Sequence, residues 1–333
     1  NNGYAISVPI EDQTAGGSVY KISAGYDNLA RFNVDGTDFF ETHLAFKKAV
    51  ERARRGKGPS LIQSDVVRLL PHSSSDDQRK YRPKEELEAD RKRDPLLVFA
   101  KTCIINKIAS QNDFDIIMEK VKTEVDSDAE WAEVQADPNP EESMSNIFAE
   151  NSKFSQTEPQ PNASENIVLV DAINHALDEE LTHNDKMMIY GQDVAGGKGG
   201  VFTATRGLTD KHGIDRVFNS PLAESSIIGT AIGLATLGYK PVVEIQFGDY
   251  IWYGMMQIRN EVATMLYRSN GDWSCPIVIR VPIGGYIHGS LCHSQCIEGF
   301  FAHLPGIFIA YPSNAADAKG LLKMACRMDD PVM

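Results

Sequence analysis

Short apolar runs alternate with helical patterns through the second half of the chain. "KMMIYG", "PVVEIQF", "PIVIRVP" and "GIFIAYP" read as strands, and "PVVEIQF" alternates in character. Between them, "PLAESSIIGTAIGLATLG" is a helix rich in small residues, suited to close packing; "NAADAKGLLKMACRM" is another. In "DYIWYGMMQIRNEVATML", Ile251, Met255, Ile258, Val262 and Met265 share one helical face. Parallel strands need long crossovers, and helices are what cover both faces of such a sheet. The alternation predicts an α/β fold with a parallel sheet between helical layers.

This region begins near residue 165, where Ser164 can cap a helix carrying Val170, Ile173 and Leu177 on one face. Upstream, residues 124–152 hold nine acidic side chains and no basic one. Pro138, Pro140, Pro159 and Pro161 punctuate a segment rich in Asn, Ser, Gln and Glu, which predicts a linker over 137–164. The first block, 1–136, opens on the turn "NNGYAIS", with Ala-Ile-Ser read as a strand or its exit. "DGTDFFETHLAFKKAVERARRGKG" reads as a helix with Phe39, Phe46, Val50 and Ala53 on one face and Gly56 closing it. "PSLIQSDVVRLL" reads as a strand, "PHSSSDDQRKYRPKEE" as a loop, and about 95–110 and 113–134 as helices.

A length of 333 residues leaves room for two domains. The net charge of −13 argues against a nucleic-acid surface, which wants clustered Lys and Arg; acids outnumber the one basic cluster, Arg52, Arg54, Arg55 and Lys57. No apolar run approaches the length of a membrane span. Cys103, Cys275, Cys292, Cys296 and Cys326 are an odd number without a disulfide-like rhythm, which fits a reducing compartment. The chain opens without Met and stops at "MDDPVM", where an apolar strand begins, so both ends read as cuts in a longer polypeptide.

Three stretches can carry chemistry. His72 stands just past a strand, where α/β folds collect ligands, but "HSSSDD" is also an ordinary composition for a solvated turn. Glu224 stands at a helix start, as a capping charge or as a buried acid able to exchange a proton near neutrality. "GGYIHGSLCHSQC" brings His288, Cys292, His293 and Cys296 into one Gly-rich loop after a strand. Its spacing is wrong for a paired zinc site, and adjacent Cys292 and His293 point apart; a loop carrying a proton-transfer histidine is the better reading.

Taken in order, these motifs resemble the E1 component of 2-oxoacid dehydrogenase complexes, the thiamin-diphosphate-dependent decarboxylases. "NNGYAIS", "VDGTD", "GPSLIQ" and "HSSSDD" followed by "YR" resemble the second half of an α-type subunit. "GQDVAGGKGGVF", "RGL", "VFNSPLAE", "EIQFGDYI" and "HSQ" resemble the first half of a β-type subunit, here 165–333. The resemblance implies a thiamin-diphosphate-binding fold of two three-layer domains with mainly parallel sheets, both truncated. It implies that Asn2 and the Tyr4 carbonyl are Mg²⁺ ligands, that Arg68 and His72 lie near diphosphate and substrate, and that Glu224 faces N1′ of the aminopyrimidine. Tyr250 matches an aromatic beside that ring, and His293 a proton-transfer histidine in reductive acylation. Ser73 matches a position phosphorylated in animal members.

The implied activity is oxidative decarboxylation of a 2-oxoacid with acyl transfer to a lipoylated E2 acyltransferase. The implied enzyme is a homo-oligomer with its cofactor site at a subunit interface, in the cytoplasm or, in a eukaryote, the mitochondrial matrix. "FNSPLAE" and "QFGDYI" lean toward branched-chain substrates such as 2-oxoisovalerate. Pyruvate or acetoin dehydrogenase E1, or a scaffold that kept the fold without the chemistry, are the alternatives. The chain departs from the family pattern at Gln192 (usually Glu, in GEDV), at Leu291 (often His) and at His288 (frequently Arg). These departures are expected to bear on details of substrate and lipoyl contact more than on the cofactor.

Overall fold

The computed structural model describes residues 1–150 and 166–333, which divide into two compact units, Asn1–Asp137 and Pro138–Met333. We number the main elements in chain order. The first unit contains β1 (Tyr4–Ala5), β2 (Val8–Pro9), β3 (Ala30–Asp35), α1 (Phe39–Arg54), β4 (Ser60–Asp65), α2 (Lys84–Lys92), α3 (Pro95–Ile105) and α4 (Gln111–Glu133). The second contains α5 (Leu169–His183), β5 (Met187–Gly191), β6 (Val217–Asn219), α6 (Glu224–Thr236), β7 (Lys240–Glu244), β8 (Val278–Arg280) and α7 (Ala315–Arg327).

In the second unit the strands form one parallel sheet in the order β6-β5-β7-β8, with Ile189 opposite both Val217 and Val242, and Val242 opposite Val278. Side chains alternate across the sheet. Met187, Ile189 and Val242 pack with Leu177 and Leu181 of α5 and Cys326 of α7. Tyr190 and Val243 pack on the other face with Ile227, Ile228 and Ala231 of α6 and with Ile258 and Phe301. β7 is buried at all five positions, so the alternation read in "PVVEIQF" is not an inside–outside pattern; a central strand covered on both faces exposes neither.

The segment after β7 is less regular than a single helix. A 3₁₀ turn (Gly248–Gly254) leads into a helical turn (Met255–Gln257), a π turn (Ile258–Val262) and a last turn (Met265–Arg268). The expected face survives: Ile251, Ile258 and Val262 are buried, with Met255 and Met265 against them. "GIFIAYP" makes only a single bridge, Phe308 to Val332. α5 begins at Leu169 without a side-chain cap, and Ser164 lies outside the described residues. Within the stretch read as a linker, Pro140–Met144 forms a 3₁₀ turn, Phe148 packs on Phe308 at 4.5 Å, and Ala149 N–H donates to Asp330 at 2.7 Å.

In the first unit β3 and β4 pair in parallel from Ala30–Ser60 to Asp35–Asp65. Asp38 caps α1, its carboxylate accepting the Phe40 and Glu41 N–H groups. The face expected to be buried is not: Phe39, Phe46 and Val50 are exposed, and Ala45 is the buried residue of α1. A two-stranded sheet covers only a narrow stripe of a helix. α2 starts inside the stretch read as a loop. It lacks apolar periodicity, but Glu85 and Glu86 in its first turn and Arg91 and Lys92 in its last complement the helix dipole.

Candidate active site

The opening asparagines dock at the carboxyl end of β4. Asn1 O accepts Val66 N–H at 2.8 Å, and Asn1 Nδ2 donates to Asp65 at 3.2 Å. Asn1 Oδ1 and Asn2 Oδ1 accept the N–H groups of Gly3 and Tyr4, two successive side-chain turns. β1 and β2 then form a tight antiparallel hairpin. Tyr4 and Pro9 face each other, and Ile10 N–H bonds Gly3 O beside them. In such a non-hydrogen-bonded pair the Tyr4 carbonyl points away from the partner strand.

A chain of contacts runs from there to His72. The Arg68 guanidinium lies over the Tyr4 ring at 5.4 Å and donates to Ile6 O at 2.7 Å and to the Tyr81 hydroxyl at 2.6 Å. Tyr81 donates to Asp76 at 2.7 Å, and the same carboxylate oxygen accepts His72 N–H at 2.9 Å. The Tyr81 hydroxyl, then the His72 amide, hold Asp76 below the usual carboxylate range. Below them Arg82 is buried, donating to Glu86 at 2.8 Å and to Asp90 at 2.5 Å. Tyr4 donates to Glu86 at 3.0 Å; burial first, then that bond, push its hydroxyl up. Asn2, Tyr4, Arg68 and His72 thus belong to one polar lattice past the end of β4. Ser73 is exposed, its hydroxyl 3.1 Å from that of Ser75.

In the second unit two pairs stand at the carboxyl end of the sheet. Gln192, directly after β5, donates from Nε2 to Glu224 Oε1 at 2.6 Å, while its Oε1 accepts Gln246 N–H at 3.0 Å. Gly191 permits this: a Cβ there would lie 2.2 Å from Glu244 O. Tyr250 OH and His293 Nε2 are 2.7 Å apart, and the Phe247 ring meets the His293 ring edge-on at 4.7 Å. Gly289 leaves room for His293, since a Cβ there would come within 2.4 Å of the His293 Cβ. A cavity of about 750 Å³ has His293, Phe247, Phe202, Ile173 and Leu322 on its wall. Glu224 and Tyr250 do not line it, so this apolar space is distinct from the Glu224 end of the site.

Residues 165–333 match the family described as transketolase, pyrimidine binding domain. The chain belongs to that family. Residues 1–141 match the dehydrogenase E1 component family. The likeness to curated proteins covers about half of the chain. The 2-oxoisovalerate dehydrogenase subunit beta of Bacillus subtilis is 52% identical over 49% of this chain and 50% of its own length. The pyruvate dehydrogenase E1 component subunit beta of the same organism is 45% identical over 50% of this chain and 51% of its own. The mitochondrial 2-oxoisovalerate dehydrogenase subunit beta of Dictyostelium discoideum is 47% identical over 50% of this chain and 44% of its own. The chain spans about half the length of these relatives.

The pyrimidine-binding domain offers a carboxylate, Glu224, anchored through one oxygen, and an aromatic group with a histidine beside it, Tyr250 and His293. That donor set fits an aminopyrimidine ring. The first unit offers two neutral hard oxygens, Asn2 Oδ1 and the Tyr4 carbonyl, of the kind Mg²⁺ takes; the amide oxygen keeps a lone pair beyond its bond to Tyr4 N–H. Sequence reasoning missed the roles of Tyr81, Asp76, Gln246 and Phe247. Gln192, one of the departures from the family pattern, lies against Glu224. Only a spatial contact shows this, because Gln192 and Glu224 are 32 positions apart.

Proposed function

We propose that the chain is part of a 2-oxoacid dehydrogenase E1 component. It decarboxylates a branched 2-oxoacid such as 2-oxoisovalerate and passes the acyl group to the lipoyl group of an E2 acyltransferase. Thiamin diphosphate and Mg²⁺ are the cofactors, and thiamin diphosphate supplies the electron sink for decarboxylation. Residues 1–136 act as the diphosphate and metal side, 137–164 as a linker and 165–333 as the pyrimidine side of a homo-oligomer with its cofactor at a subunit interface. The enzyme works in the cytoplasm, or in the mitochondrial matrix of a eukaryote. Among the described residues no helix is long and apolar enough to cross a membrane.

The observations that carry this reading are the Glu224 carboxylate held by Gln192 and the Tyr250–His293 pair, both past the carboxyl ends of the strands. Glu224 exchanges a proton with N1′. His293 moves a proton during acyl transfer, oriented by the Tyr250 hydroxyl. Asn2 and the Tyr4 carbonyl take the metal, and Arg68 and His72 bind diphosphate and substrate. The match of each unit to a different family, E1 and pyrimidine-binding, supports one chain serving both sides. The branched substrate is favoured by the 52% relative, but pyruvate enzymes follow closely at 45%. The ratio of kcat/KM for 2-oxoisovalerate and pyruvate decides this.

Glu224→Gln in the full-length protein tests the core of the reading. Exchange of the C2 hydrogen of bound thiamin diphosphate, followed by NMR, should fall by at least about 100-fold, the usual weight of acid–base catalysis. Unchanged exchange sinks the assignment.

A further inference from the structure

Among the described residues Gln192 is the side chain that hydrogen-bonds the Glu224 carboxylate. It is 1% exposed, and its amide cannot be turned round. Its Oε1 accepts Gln246 N–H at 3.0 Å, and a backbone N–H can only donate. The NH₂ group must therefore face Glu224 Oε1, 2.6 Å away. An amide NH₂ donates and does not accept, and the hydroxyl oxygen of a carboxylic acid is a poorer acceptor than its carbonyl oxygen, so this bond favours Oε1 of Glu224 as the oxygen without the proton. Any proton that Glu224 binds is directed to Oε2.

We infer that Gln192 is a positioning residue: it anchors Oε1 of Glu224 and reserves Oε2 as the oxygen that carries the proton. This rests on the reading of Glu224 given above. The backbone on both sides supports it. Gln192 leaves β5 directly after Gly191, whose lack of a Cβ lets β5 approach Glu244 O, and Gln246 follows β7 by two residues. The two strand ends thus fix the amide before Glu224 is met. A glutamate at 192 would reverse the logic. The Gln246 N–H would still bind one of its oxygens, leaving two carboxyl oxygens face to face. Such a pair holds one proton between them and gives it up only at higher pH.

The first experiment needs no cofactor. Isotope-edited infrared titration of carboxyl groups in the full-length protein compares the original, Gln192→Glu, and the double variant Gln192→Glu with Glu224→Gln. Gln192→Glu should add a protonated-carboxyl band that persists at least about one pH unit above the ordinary carboxylate range. The band should vanish in the double variant, which restores an amide–carboxylate pair with the partners exchanged. No added band, or a band that survives in the double variant, overturns the inference. The second experiment uses C2 exchange with bound thiamin diphosphate. Gln192→Met keeps the side-chain length but loses the donor, and exchange should slow by at least about tenfold, the weight of a hydrogen bond to a charged group. Glu224→Gln separates the two claims. If it leaves exchange intact, the reading of Glu224 fails; if it abolishes exchange while Gln192→Met does not slow it, only the positioning role fails.

Discussion

The two units hold themselves together in opposite ways. In the second, the sheet is buried on both faces, with Leu177, Ile189 and Val242 on one side and Ile227, Ile258 and Phe301 on the other. In the first, the buried apolar residues among those described are Val34, Ala45 and Cys103, while Phe46, Val50, Leu96 and Ile116 stay exposed. Its order comes from polar contacts: Arg82 with Glu86 and Asp90, and the run from Arg68 through Tyr81 and Asp76 to His72. Apolar packing supplies free energy and tolerates repacking, whereas a satisfied polar network fixes positions. Under the proposed roles the first unit holds a carbonyl, an amide oxygen and a loop histidine in place, and a polar network is the device suited to that.

The sharpest way to break this contrast is a pair of truncations. Phe301→Ala should destabilise the second unit by about 3–5 kcal/mol through a cavity in a site that cannot collapse. Phe46→Ala, on an exposed face, should stay within about 0.5 kcal/mol. Urea unfolding followed by tryptophan fluorescence, with Trp131 and Trp273 replaced by Phe so that Trp252, whose ring stacks on Phe301 at 6.1 Å, is the reporter, reads the first of these. Equal costs for the two substitutions would mean that the first unit buries Phe46 and that the contrast is wrong.

Next in size is Arg82→Met. The guanidinium side chain is 1% exposed, and its carboxylate partners, Glu86 and Asp90, keep some contact with water. Removing it leaves both partly buried carboxylates without their cation, at about 2–3 kcal/mol. The loss should be accompanied by faster amide hydrogen exchange at Arg68 and Tyr81. An unchanged exchange pattern would show that the network does not order the loop.

The second unit contains one polar feature that works against it. Burial lowers the Lys240 ammonium to about 8, and its Nζ donates to Met328 O at 2.7 Å. Between about pH 8 and the unfolded value near 10.4, the unfolded chain binds a proton that the folded one has released, so stability rises with pH in that window. Cys275 and Cys326, pushed up by burial to about 12, act in the other direction. Above about pH 9 the unfolded chain sheds thiol protons that the folded chain keeps, and stability falls. Lys240→Met should raise stability at pH 7 by about 1–2 kcal/mol, the relieved desolvation less one lost hydrogen bond, and should flatten the rise above pH 8. Urea midpoints across pH 7 to 9 check both.

What the sequence made legible follows the same division. The second unit's elements were readable because burial writes a period into apolar residues; even the irregular run from Gly248 to Arg268 kept its face at Ile251, Ile258 and Val262. The first unit was readable mainly through resemblance. α2 has no apolar period to find, and the face of α1 with the clearest apolar stripe is the exposed one. At the site, Glu224, Tyr250 and His293 stood in recognisable motifs. Gln192 stood in one too, but its contacts with Glu224 and Gln246 join two strand ends and a helix start, which no local pattern encodes.

The smallest effect tests whether the second unit, too, uses a polar bond where position matters. Tyr250→Phe keeps the ring against Phe247, which it meets at 5.7 Å and 84°, and removes only the hydroxyl that lies 2.7 Å from His293 Nε2. A net hydrogen bond of this kind is worth about 1 kcal/mol, so a fall of about fivefold is expected wherever His293 must be aimed. Under the proposed roles that step is acyl transfer to a lipoyl group. Turnover with the E2 partner should therefore drop by about that factor, while decarboxylation read with an artificial electron acceptor changes by less than about twofold. His293→Ala should show the same split with a larger loss. Equal losses in both assays for Tyr250→Phe would mean that the hydroxyl serves the earlier step, and that the Tyr250–His293 bond is packing rather than aim.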